Sequence, residues 1–136
     1  MSPRLRIVFW IHAIVALVFG IAMLFVPTFV IDLFNFEPGD LYNMRILGVA
    51  LVAMGFSSVL AAQAQRFERV AIVLQMEVVF TIISLLVALY AVIFASAPVM
   101  VWLDVAIFAI FAVLFGYYYW QTRSIQQPQP GTPALR

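Results

Sequence analysis

The sequence predicts an all-α fold, a four-helix transmembrane bundle, and three observations carry that expectation. Four apolar runs, at roughly residues 7–26, 46–62, 70–97 and 99–120, fill most of the 136-residue chain. Each run approaches the ~20 residues that a helix needs to cross a hydrocarbon layer about 30 Å thick. Hydrophobic residues make up 66% of the chain and charged residues 10%, more apolar surface than one small soluble core can hide. The arginines, finally, sort unequally between the segments that join the runs.

The first run follows Arg4 and Arg6, which imitate the head of a signal peptide. It is too long for a signal h-region of ~7–15 residues, and Phe25-Val26-Pro27 offers no small-x-small cleavage site. It is therefore expected to be retained as a helix. The next segment, 27–43, carries Phe29, Val30, Leu33, Phe34 and Phe36, then Glu37-Pro38-Gly39-Asp40. That pattern predicts a short helix lying in the membrane interface and stopped by the Pro-Gly pair; a plain cap over the bundle is the commoner role of such loops.

The second run places Gly48, Gly55 and Ala62 seven residues apart, and the first run places Ala16 and Gly20 four apart. Small residues in these registers let backbones approach closely, within the bundle or at a dimer seam. The third and fourth runs are joined by so tight a turn near 96–98 that they are expected to be antiparallel neighbours. Residues 1–120 thus form one membrane domain. The Pro- and Gln-rich stretch 121–136 reads as a disordered cytoplasmic tail.

Arg4, Arg6, Arg66, Arg69, Arg123 and Arg136 fall on one side of this scheme and only Arg45 on the other. Positive residues stay inside, which puts both termini in the cytoplasm of a multi-pass protein in a bacterial-type plasma (inner) membrane. Trp10 and the cluster Tyr117, Tyr118, Tyr119 and Trp120 suit the inner interface, and Trp102 suits the outer one.

Composition also narrows the chemistry. There is no cysteine, so disulfides, thiol catalysis and thiolate-held clusters are out of reach. A single histidine, His12, cannot make a multi-histidine metal or haem site within one protomer. A net charge of +1 supplies no basic field for nucleic acid. No cofactor is expected. No nucleophile–base–orienter set or phosphate loop appears, and the hydroxyls of Ser57, Ser58, Thr81 and Ser84 are expected to bond their own helix backbone.

Ionisable groups in hydrocarbon are costly and call for a partner or a purpose. By depth along the runs, His12 and Glu77 lie level on the inner side, and Arg45 and Asp104 lie level on the outer side. The first pair can exchange a proton; its bland counterpart leaves Glu77 among headgroups beside Arg66 and Arg69. The second reads as a structural ion pair, unless Arg45 turns instead to Asp32, Glu37 or Asp40. Glu77, Thr81 and Ser84 form a polar stripe on the third run. Phe108, Phe111 and Phe115 share a face with Asp104 on the fourth, an aromatic wall suited to a small lipophilic ligand or to ordinary packing.

The end of the first run at Phe25-Val26-Pro27, the semi-apolar outer loop, and Arg45-Ile-Leu-Gly48 followed by Gly55 resemble small uncharacterised bacterial four-helix membrane proteins of the DoxX-like kind. The resemblance spans about the first half of the chain. It implies a compact bundle and carries no activity with it. The expected function is that of a non-catalytic accessory or scaffolding subunit in the lipid bilayer, as a homo-oligomer or within a larger membrane complex. The alternative is a proton-coupled transporter or lipophile-binding protein that uses Glu77 and His12.

Overall fold

The computed structural model of the chain describes residues 2–37, 39 and 41–126. Five helices follow in order: α1 (Pro3–Phe25), α2 (Pro27–Phe34), α3 (Leu41–Gln63), α4 (Phe67–Phe94) and α5 (Val101–Gln126). Four of them, all but α2, are long and apolar enough to cross a membrane. The expected all-α four-helix bundle is what forms.

Local chemistry sets the helix ends. Ser2 accepts a hydrogen bond from the Leu5 amide at 3.2 Å, and Pro3 opens α1 where no backbone N–H is needed. Pro27 then starts a new helix after a single non-helical residue, Val26. In α2, Pro27, Val30, Ile31 and Phe34 are buried at i, i+3, i+4 and i+7, while Phe29 and Leu33 stay exposed on the far side. Asn35 ends α2 at φ 54°, a left-handed position that asparagine tolerates well. Phe34 stacks on Phe36 and meets Phe19 edge-on, which ties this helix to α1.

The long helices associate as two pairs, α1 with α3 and α4 with α5. The small residues form the seam of the first pair. A Cβ added at Gly55 would come 2.8 Å from Leu17 Cγ, and one at Gly20 would come 2.8 Å from the Val52 nitrogen. In α4 the helix stops at Phe94, and Ser96 takes a positive φ of 51° to reverse the chain into α5. The third apolar run therefore ends three residues sooner than its hydropathy suggests. In contrast, α5 continues through Gln126, six residues beyond the expected end of the membrane domain. The rest of the tail expected to be disordered, 127–136, lies outside the described residues.

The two pairs join at the end of the bundle where α1 begins and α5 ends. Leu5, Val8 and Phe9 of α1 meet Ala61 and Ala62 of α3, Val70 and Leu74 of α4, and Phe111, Phe115 and Tyr118 of α5 in one buried cluster. Toward the α2 end the only other buried cluster among the described residues, Ala88, Val101 and Val105, belongs to α4 and α5 and is covered by Phe36. Between 17% and 33% of each long span is buried in the protein. The remaining surface is almost wholly apolar, so lipid must cover it. This is a multi-pass membrane protein.

Candidate functional site

Where the two pairs close, three helices place polar side chains against one another. His12 of α1, Ser58 of α3 and Glu77 of α4 are all buried, Glu77 with 1% of its surface exposed. Each sits on the face that its helix turns inward: Ser58 falls three residues after Gly55 in the close-packed seam, and Glu77 three after Leu74 in the core. The Ser58 hydroxyl donates to Glu77 Oε1 at 2.8 Å, and His12 Nδ1 lies 2.9 Å from Ser58 Oγ. His12 Nδ1 and Glu77 Oε1 are also within 3.5 Å of each other directly.

With Glu77 ionised, the hydrogen-bonding capacity of each group sets who gives and who receives. A serine hydroxyl has one proton, and when it goes to an ionised Glu77, Ser58 Oγ accepts from an Nδ1–H of His12. In that arrangement the imidazole carries a proton on Nδ1, and Nε2 is the acceptor of the neutral ring. Glu77 Oε2 is buried and has no hydrogen-bond partner among the described residues. Phe111 and Phe115 hold the ring in place edge-on, with centroids 4.8 and 5.3 Å away.

Above this cluster the pairs diverge around a half-enclosed cavity of about 510 Å³. His12 and Phe111 stand at its floor. Its walls include Ala16 and Phe19 of α1, Leu51 of α3, Phe80, Ser84 and Ala91 of α4, and Asp104 and Phe108 of α5. Phe36 and Pro98 lie toward the α2 end. Apart from His12, Ser84 and Asp104, the lining side chains are apolar.

The polar residues singled out by sequence have separate fates. His12 and Glu77 do come together, and Ser58 joins them, contrary to the expectation that it bonds its own backbone. Thr81 follows that expectation: its hydroxyl donates to the Glu77 carbonyl oxygen at 2.7 Å and takes no part in the side-chain cluster. The stripe Glu77, Thr81, Ser84 is thereby split, because of its members only Ser84 lines the cavity.

The expected ion pair between Arg45 and Asp104 is not present. Arg45 is exposed on α3, which packs on α1, whereas Asp104 sits half-buried on α5 against α4. Equal depth did not mean facing sides. Among the described residues Arg45 forms no ion pair with Asp32 or Glu37 either; Asp40 lies outside them. The aromatic face divides as well: Phe115 is fully buried in the core against Phe9, Phe111 touches both core and cavity, and Phe108 lines the cavity with Phe80 edge-on at 6.0 Å.

No family model, curated protein or solved structure matches the chain. The chemistry of the site therefore rests on its own residues. Among the described residues no three His, Asp or Glu side chains gather as a metal site would require. What the arrangement offers is an apolar chamber of ligand size, an acid on its wall, and an imidazole at its floor wired through a hydroxyl to a sealed carboxyl group.

Proposed function

We propose that this is a non-enzymatic membrane protein that takes a small lipophilic molecule into the cavity between its two helix pairs, with His12, Ser58 and Glu77 as the group that exchanges a proton when the ligand comes or goes. The observation that carries this reading is the cavity itself. At about 510 Å³ it falls within the ~300–1,000 Å³ of small-molecule sites, with mostly apolar walls and a few convergent polar groups. His12 links the two halves of the proposal, since the same imidazole lines the cavity and contacts Ser58.

A purely scaffolding role draws less support. The small residues that suggested an oligomer seam are occupied inside the chain, where Gly20, Gly48 and Gly55 bring α1 against α3. In this proposal both termini face the cytoplasm, as the arginine distribution favours, so His12 and Glu77 lie nearer the inner side and the cavity opens toward the outer half of the bilayer.

The test is a titration of a naphthyl-alkyl alcohol, a neutral fluorescent lipophile, into protein held in phosphatidylcholine nanodiscs. Saturable binding is expected for the wild-type chain and is expected to be lost in Ala91→Trp, which fills the cavity from a half-buried wall position. Uptake no different from that of empty nanodiscs overturns the proposal.

A further inference from the structure

We infer that the cavity selects lipophilic amines, with the Asp104 carboxylate as the counter-charge for the ligand's ammonium group. This rests on the cavity's being a ligand site and adds the chemical class of what it takes.

Asp104 lines the cavity, and no hydrogen bond or ion pair engages it among the described residues. An acid in the first turn of a helix has an ordinary explanation, the favourable field of the helix N-terminus. That explanation suits an acid pointing anywhere around the turn and does not account for one placed on the wall of an apolar chamber. A carboxylate there loses water on one side, and a positive partner is the strongest way to offset that loss. Among the described residues no ion pair supplies it, and Arg45, the one basic residue on the outer side of the sequence scheme, is exposed on another face. A cationic ligand would supply that partner.

The surroundings fit that assignment. Phe108 follows Asp104 by four residues on α5, so ring and carboxylate share one face of the helix, and both line the cavity. Aromatic faces attract cations and do so more strongly out of water. Phe80, edge-on to Phe108, extends the aromatic wall. The remaining walls of Ala, Val, Leu and Ile fit an alkyl or aryl body. A fatty acid or other anion of the same body would meet like charge at Asp104 and no fixed cation in exchange.

The experiment compares three probes with the same naphthyl-alkyl body, ending in a primary ammonium, a hydroxyl or a carboxylate, on the full chain in phosphatidylcholine nanodiscs, with uptake by empty nanodiscs subtracted. The ammonium probe is expected to bind at least about tenfold more tightly than the alcohol, a factor that corresponds to ~1.4 kcal/mol, and the carboxylate more weakly than either. Asp104→Asn is expected to bring the ammonium-to-alcohol ratio close to one, and Asp104→Glu to restore most of the preference. If the wild-type chain binds alcohol and ammonium equally, the charge assignment fails while the cavity reading survives. If the preference persists in Asp104→Asn, another group provides it and the assignment also fails. If no probe binds, both the assignment and the ligand reading fall.

Discussion

Gly20 and Gly48 face each other across the α1–α3 seam so closely that a Cβ on Gly20 would lie 2.9 Å from the Gly48 carbonyl oxygen, and one on Gly48 would lie 2.8 Å from that of Gly20. The obstacles are backbone atoms, which cannot swing aside as a side-chain tip can. Without a hydrophobic driving force between helices in lipid, such close packing is what holds two spans together. Gly48→Val is therefore expected to destabilise the bundle by about 1–3 kcal/mol, the usual cost of overpacking. Gly116, with nothing within 4 Å of its would-be Cβ, is the internal control. Gly116→Ala is expected to be neutral or to stabilise by up to ~1 kcal/mol through helix propensity. Unfolding in mixed micelles measures both.

Ser58 is the bridge of the buried cluster. Removing its hydroxyl takes away the 2.8 Å donor to Glu77 Oε1 and the nearest partner of His12 Nδ1, leaving only the 3.5 Å approach between those two atoms. Ser58→Ala is expected to cost about 1–3 kcal/mol, the range for stranding a buried polar group. Ser57→Ala, one residue away, removes only a bond to the Met54 carbonyl oxygen of its own helix and is expected to stay within about 0.5 kcal/mol of wild type.

The three polar side chains are expected to be strongly non-additive. Glu77→Leu alone takes the acceptor from the Ser58 hydroxyl and leaves two buried polar side chains behind, whereas the triple variant His12→Leu, Ser58→Ala, Glu77→Leu removes the whole cluster. Replacing a whole buried network with apolar groups is often neutral or stabilising. The triple variant is thus expected to unfold at a higher denaturant concentration than Glu77→Leu. A triple variant weaker than the single one would show that the polar cluster is a net source of stability, and hence that it needs no functional reason to exist.

The sidedness inferred from the arginines predicts that a reporter active only in the cytoplasm will work when fused to either end of the chain. A C-terminal fusion active only outside would invert the scheme and place the His12–Glu77 level near the outer surface.

Much of this architecture was legible in the sequence because lipid imposes a simple rule: every span must be a long apolar helix. The runs, the tight α4–α5 turn and the glycine seam followed directly. Depth was legible too, which is why His12 and Glu77 were matched. Rotation about each helix axis was not, since spans that are apolar nearly all round give no amphipathic signal to show which side turns inward. That gap misled the pairing of Arg45 with Asp104 and hid Ser58 among hydroxyls that ordinarily bond their own backbone. The small-residue seam held a usable clue, because Ser58 lies one turn after Gly55 and must face α1 with it. Of the cavity, the sequence showed one wall, Asp104 with Phe108 and Phe111, but not the space in front of it. That space arises because the two pairs converge only at the end where Phe9, Leu74 and Phe115 interlock.

Photolabelling tests the central claim, ligand capture between the helix pairs, most directly. A diazirine form of the naphthyl-alkyl alcohol is irradiated with the protein in nanodiscs, and the labelled residues are read by peptide mass spectrometry. Adducts are expected on Phe80, Ser84 and Phe108, removed by excess unlabelled alcohol. Labelling confined to lipid-facing residues such as Ile72, Leu86 and Val113, and undiminished by competitor, would contradict it.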